Sequence, residues 1–238
     1  MAAMIGNLRT VVLDAPDIKG LAAFYSELAG LTEHYADDEW ITLKAADGTR
    51  LGFQHAPDHV PPRWPDPAYP QQMHLDLRVP DMAAAVEHAV KLGATRLPGG
   101  GETFTVLADP AGHPFCLCQG EVDSAALADV AIDCTSAGPL ARFYSELLGL
   151  PVTWEGEGGA MISAEGRLPV IFQEIAEHRA PQWPDPAHPQ QYHLDVEVSD
   201  IEQAEPKVLA LGATRLAGAG DNWRVYADPA GHPFCLVW

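Results

Sequence analysis

Two stretches of this chain are almost the same text, set 119 residues apart. Trp64-Pro65-Asp66-Pro67-Ala68-Tyr69-Pro70-Gln71-Gln72-Met73-His74-Leu75-Asp76 returns as Trp183-Pro184-Asp185-Pro186-Ala187-His188-Pro189-Gln190-Gln191-Tyr192-His193-Leu194-Asp195. The same offset joins Phe24-Tyr25-Ser26-Glu27 to Phe143-Tyr144-Ser145-Glu146, Gln54 to Gln173, and the run Asp109 to Leu117 to the run Asp228 to Leu236. A repeat that survives without slippage is a tandem duplication, so whatever one half folds into, the other does too. A length of 238 residues then divides into two domains of ordinary size, residues 1–119 and 120–238.

Within each half the pattern repeats once more, loosely. Residues 8–14 are β-branched and read as a strand; Asp17 suits a helix N-cap, and Ile18, Leu21, Phe24, Tyr25 and Leu28 share one helical face up to Gly30. Strands follow near 31–36, 39–45 and 49–55, with Asp47-Gly48 as the last turn. A proline-dense loop, 56–72, has little access to helix. Beyond it His74 to Val79 alternates as a strand, Asp81 caps a helix ending at Gly93, and short strands lie near 94–97, 103–107 and 114–118. The second half gives a strand over Asp129 to Cys134, a helix over Pro139 to Leu148, a strand from His193 to Val198 and a helix from Ile201 to Leu211. Pro206 should kink that last helix or delay its start. The expected architecture is α+β: four βαβββ modules at about 5–56, 70–118, 126–176 and 189–238.

The formal charge of −19 leaves no basic stripe to neutralise phosphates, which argues against a nucleic-acid partner. No apolar run reaches membrane-spanning length and no charged-then-apolar leader opens the chain, so no membrane partner and a cytoplasmic location are expected. Cys116, Cys118, Cys134 and Cys235 lack metal-type spacing, and only Cys116 and Cys235 correspond through the repeat, so no duplicated disulfide framework exists. There is no phosphate-binding glycine loop ahead of a helix and no Gly-x-Ser-x-Gly elbow.

A strand opening on His, a helix whose Phe-Tyr pair runs into Ala-Gly-Leu or Leu-Gly-Leu, and a closing strand after Asp-Pro-Ala-Gly resemble the vicinal oxygen chelate superfamily of glyoxalases, extradiol dioxygenases and bleomycin-resistance proteins. The resemblance spans nearly the whole chain. It implies tandem glyoxalase-like domains whose sheets curl into cups, and a small-molecule ligand in those cups. Family metal ligands sit on the first and last strands of the modules. Carried over, those positions are Thr10, Gln54, His74 and Cys116 in the first half, and Asp129, Gln173, His193 and Cys235 in the second. The usual glutamates are missing, so a divalent metal is open but not favoured, and no residue is assigned a catalytic or metal-ligating role. Lyase, isomerase or dioxygenase chemistry stands against metal-free sequestration of a drug or natural product, in a monomer or homodimer.

Other residues are read from spacing alone. Asp76 and Asp195 lie two residues beyond the histidines and face the same side, completing the expected ligand-binding set; Asp14 and Asp133 extend that acidic face. His113 and His232 belong to Gly-His-Pro turns and read as structural. Trp64 and Trp183 either wall a flat ligand or pin the crossing loop. Gln71-Gln72 and Gln190-Gln191 are expected to satisfy loop backbone.

Overall fold

The computed structural model describes residues 4–185 and 188–238; Pro186 and Ala187 of the second tryptophan stretch lie outside the described residues. The first module is β1 (Asn7–Ala15), α1 (Ile18–Ala29), β2 (Thr32–Ala36), β3 (Trp40–Lys44) and β4 (Arg50–His55). The second is β5 (Met73–Val79), α2 (Met82–Lys91), β6 (Thr95–Arg96), β7 (Phe104–Ala108) and β8 (Pro114–Gln119). The third is β9 (Ala126–Cys134), α3 (Ala137–Leu148), β10 (Val152–Gly156), β11 (Gly159–Ile162) and β12 (Val170–Glu174). The fourth is β13 (Tyr192–Glu197), α4 (Ile201–Ala210), β14 (Thr214–Gly220), β15 (Trp223–Ala227) and β16 (Pro233–Val237). No helix among the described residues is long and apolar enough to cross a membrane.

Local chemistry sets these boundaries. Asp17 accepts a hydrogen bond from the Gly20 amide at 2.9 Å and so caps α1, while Gly30 ends it in the left-handed region at φ 63°. Helix α3 starts at Ala137, two residues before the expected Pro139, which remains within the first turn where a missing N–H costs nothing. Pro206 does not delay α4. Asp200 accepts from the amides of both Glu202 and Gln203, and Ile201, Ala204 and Val208 are buried, so cap and packing hold the helix through the proline.

Repetition alone could not say which modules share a sheet. The two eight-stranded sheets run β14-β15-β16-β13-β1-β4-β3-β2 and β10-β11-β12-β9-β5-β8-β7-β6. Each is therefore built from one module of each half: first with fourth, second with third. A reciprocal clasp ties the crossing loops together. The Gln72 amide donates to Gln191 Oε1 at 3.1 Å and the Gln191 amide to Gln72 Oε1 at 2.8 Å, and each side-chain nitrogen reaches the other loop at Pro189 or Pro70. These glutamines do satisfy loop backbone, as expected.

The opposite sheet faces share one hydrophobic core with the helices, including Val11, Leu13, Leu75, Leu77, Val130, Leu194, Tyr25 and Tyr144. Modules of the same half meet inside that core. The Tyr25 hydroxyl donates to Asp109 at 3.0 Å and, in the second copy, Tyr144 donates to Asp228 at 2.9 Å. His113 and His232 have no solvent exposure; His113 Nδ1 faces Asp109 at 3.0 Å, and His232 Nε2 faces the Asp133 carbonyl at 2.7 Å. Both are structural, as their turns suggested.

Candidate functional site

Cross-half pairing regroups the expected site residues into two cups. In the first, strand register sets Thr10 beside Asp195 and Asp195 beside Cys235, with His193 next along β13. In the second, Asp76 lies between Asp129 and Cys116, with His74 next along β5. Asp129 thus shares a cup with His74, not with His193, because β9 pairs with β5. Matching the helix caps Asp17 and Asp200 also matches Thr10 with His193, and Gly52 with Cys235. Gly52 and Ile171, neither with a donor side chain, therefore hold the last-strand positions assigned above to Gln54 and Gln173. Those glutamines sit two residues on, in register with Asp14 and Asp133.

The first cup encloses a cavity of about 850 Å³. Its floor is Thr10, Gln54, His193, Asp195 and Cys235; its walls include Trp40, Trp183 and Trp223. Asp37 fixes one wall by accepting from the Tyr35 hydroxyl and from the Glu39 and Trp40 amides, which sets the β2–β3 turn. The Trp40 indole donates to Thr42 at 2.8 Å, and its ring centroid lies 6.1 Å from that of His193. Gly52 makes room: a Cβ there would come within 3.0 Å of both Trp40 and Thr10. Trp183 fills both suggested roles, since its indole pins the loop through a 3.2 Å bond to the Ala217 carbonyl while the ring faces the cavity.

Beneath the floor, Gln190 does chemistry that the sequence reading withheld from it. Its side-chain nitrogen donates to Asp14 Oδ2 at 2.9 Å and lies 3.3 Å from His193 Nδ1. An amide donating to Nδ1 leaves the imidazole proton on Nε2, which points to Asp195 Oδ1 at 3.6 Å. Burial lowers the His193 pKa to about 4, so the ring is neutral. Burial lifts Asp14 to about 7, against the pull of Gln190, and lifts Asp195 to about 7, against Arg9 and the Cys235 thiol. The Cys235 thiol is itself pushed up by burial and by Asp195. Near neutral pH the floor combines an uncharged imidazole and thiol with two buried carboxyls, Asp14 and Asp195, poised between their protonated and ionised forms.

The second cup repeats most of the floor and part of the walls: Trp64 stands for Trp183, its indole bonded to the Pro98 carbonyl at 3.0 Å, and Phe104 stands for Trp223. Gln71 lies 3.1 Å from His74 Nδ1, and His74 Nε2 is 3.6 Å from Asp76. Asp129 is raised to about 8 by burial and by the adjacent Asp76. At the positions of Trp40, Thr42, His55 and Arg9, however, stand Gly159, Met161, Glu174 and Ala128. Trp40, Thr42, His55 and Arg9 were invisible in the repeat because they are the part of the walls that is not repeated.

His193, Asp195 and Cys235 bring ligand atoms within 4.8 Å of one another, as do His74, Asp76 and Cys116. Nitrogen, oxygen and sulfur donors of this kind suit zinc by type. Only three donors converge in each group, because Gly52 and Ile171 supply none at the remaining strand position. A metal ion here would have to displace a proton from the buried thiol, whose ionisation burial opposes.

The glyoxalase-like domain family model matches twice, over residues 10–118 and 129–237. The chain belongs to the glyoxalase-like domain family. Among solved structures, glyoxalase I from Zea mays aligns with this glyoxalase-like protein at TM-score 0.65 and 16% identity, covering 97% of this chain and 92% of that one. A proposed dioxygenase from Bacillus subtilis aligns at TM-score 0.66 and 14% identity, covering 99% and 86%. No curated protein sequence gives a significant match. At these identities the likeness is one of fold alone, and it is the family match that gives two tandem glyoxalase-like domains, the fold expected of the vicinal oxygen chelate resemblance.

Proposed function

We propose that the first cup binds a small, flat organic molecule without a metal ion, stacking it between tryptophan walls over a buried hydrogen-bonding floor. The observation that carries this reading is the first cup itself: a His–Asp–Cys floor under Trp40, Trp183 and Trp223 around a cavity of about 850 Å³, with Trp40 replaced by Gly159 in the second copy. Apolar walls with a few convergent polar groups are the usual make-up of a small-molecule site. His193 Nε2–H donates to an oxygen of the ligand, and Asp195 accepts or donates according to pH. Tryptophan-fluorescence titration with 2-naphthol, a planar aromatic bearing one hydroxyl, tests it. Saturable quenching in protein stripped by chelator, weakened about tenfold or more by Trp40→Ala, is expected. Quenching that Trp40→Ala and His193→Ala leave unchanged refutes it.

One observation favours a second reading, proton-transfer catalysis. Asp195, with its pKa near 7, stands 3.6 Å from a neutral imidazole and beside the cavity. Turnover that survives chelators and is abolished by Asp195→Asn would establish an enzyme in place of a binder.

A further inference from the structure

A second, smaller cavity of about 180 Å³ adjoins the cup and shares Arg9, Thr10 and Arg50 with it. Arg167 closes its far side, from the loop between β11 and β12, and the Asp47–Arg50 turn lines another. The whole chain has 14 basic residues against 33 acidic ones, yet three arginines converge here. Among the described residues neither Arg50 nor Arg167 has an ion-pair partner within 4.0 Å. Arg167 Nη2 is sealed from solvent with no hydrogen-bond acceptor among the described residues. A buried guanidinium nitrogen left bare is costly and rare, and it points to an absent partner. Arg9 meets Glu197 only at 3.5 Å and in solvent, and Asp47 spends an oxygen on the Thr49 amide of its own turn.

The three arginines come from places that the duplication does not make equivalent. At the 119-residue offset Arg9 becomes Ala128, Arg50 becomes Pro169, and Arg167 corresponds to Gly48. Arg9 also occupies the register shift between Leu8 and Thr10, a bulge that re-aims its side chain out of the strand alternation. We infer that this pocket is a binding site for a small oxyanion, a phosphate, sulfonate or carboxylate group, held in the forked geometry that guanidinium groups offer. The anion is either free or the acidic group of the molecule in the cup; the second source rests on the function proposed above.

Inorganic phosphate is the first probe, read by thermal unfolding against sodium chloride at equal ionic strength. At ten times its Kd phosphate should raise the Tm by about 3–5 °C in a saturable manner. That rise should vanish in Arg167→Gln and, separately, in Arg50→Gln, so that one misfolded variant does not decide the matter. The second arm titrates tryptophan fluorescence with 2-naphthalenesulfonate and with 2-naphthol. A tenfold preference for the sulfonate that Arg167→Gln removes assigns the anion to the cup's ligand. A phosphate effect with no such preference assigns it to a free anion, and either result supports the site. Absence of a saturable phosphate effect, or one that persists in both variants, overturns it. If neither naphthalene binds but phosphate does, the cup reading fails and the anion site stands.

Discussion

Replacing Asp14 by Asn should stabilise the protein at alkaline pH and do little at acid pH. Asp14 is buried on β1, with Oδ2 bonded to Gln190 and Oδ1 without a partner. Burial moves its pKa from 3.8 to about 7. In the unfolded chain the carboxyl ionises near 3.8; in the fold it keeps its proton until about 7. The folded form therefore binds the extra proton between those values, and stability falls as pH rises through them. A shift of about three pH units, at about 1.4 kcal/mol each, amounts to roughly 4 kcal/mol once pH exceeds 7. Asparagine keeps an oxygen for Gln190 but leaves an unpartnered NH₂ at the Oδ1 position, which offsets about 1–2 kcal/mol of the gain. Urea unfolding of both proteins at pH 4.5, 6, 7.5 and 8.5 gives the test. The difference should swing toward Asp14→Asn by roughly 3 kcal/mol across that range and then level off, the first part of the effect falling below pH 4.5. A difference independent of pH would show that burial does not hold the proton on Asp14, and the poised carboxyls of the floor would lose their basis.

The wild-type protein should lose stability between pH 6.5 and 8 as Asp14, Asp133, Asp195 and Asp129 ionise, while below 6.5 protonation of unfolded histidines such as His59, His178 and His193, held near 4 in the fold, opposes the carboxyl trend; a pH series of unfolding midpoints reads this. Gln72→Ala removes two hydrogen bonds and orphans the Gln191 amide, at a cost of about 2–4 kcal/mol by chemical denaturation. Tyr25→Phe strips a buried donor from Asp109 and should cost about 1–3 kcal/mol, with Tyr144→Phe matching it in the other copy. Gly52→Val crowds Trp40 and Thr10 and should weaken 2-naphthol binding about tenfold or more.

The modules, their order and both floor histidines were legible in the sequence, because duplication marks what it copies. His74 and His193 are 8% and 4% exposed and face their cups, where strand alternation sent them. Sheet partnership was not legible. An offset of 119 is equally consistent with pairing inside a half or across halves, and the choice rests on tertiary contacts such as the Gln72–Gln191 clasp. Gln54 was placed on the right strand but two residues from the position facing its partner, since register is set by pairing and not by composition. Arg9 escaped notice because a bulge breaks the alternation on which strand reading depends. Pro206 misled about the start of the helix for the opposite reason: a rule about isolated helices was outweighed by a double cap and three buried side chains.

The cross-half sheets change what a fragment of this chain can be. Cut between the halves, residues 1–119 would carry β1 and β5 with a bare edge each and no strand of their own to cover either, since β13 and β9 lie in the other piece. Two such fragments could each lend the missing strand to the other, β1 of one beside β5 of its twin. Separately expressed halves should thus be recovered as dimers, and a mixture of the two different halves should rebuild the tryptophan-walled hollow that neither possesses alone.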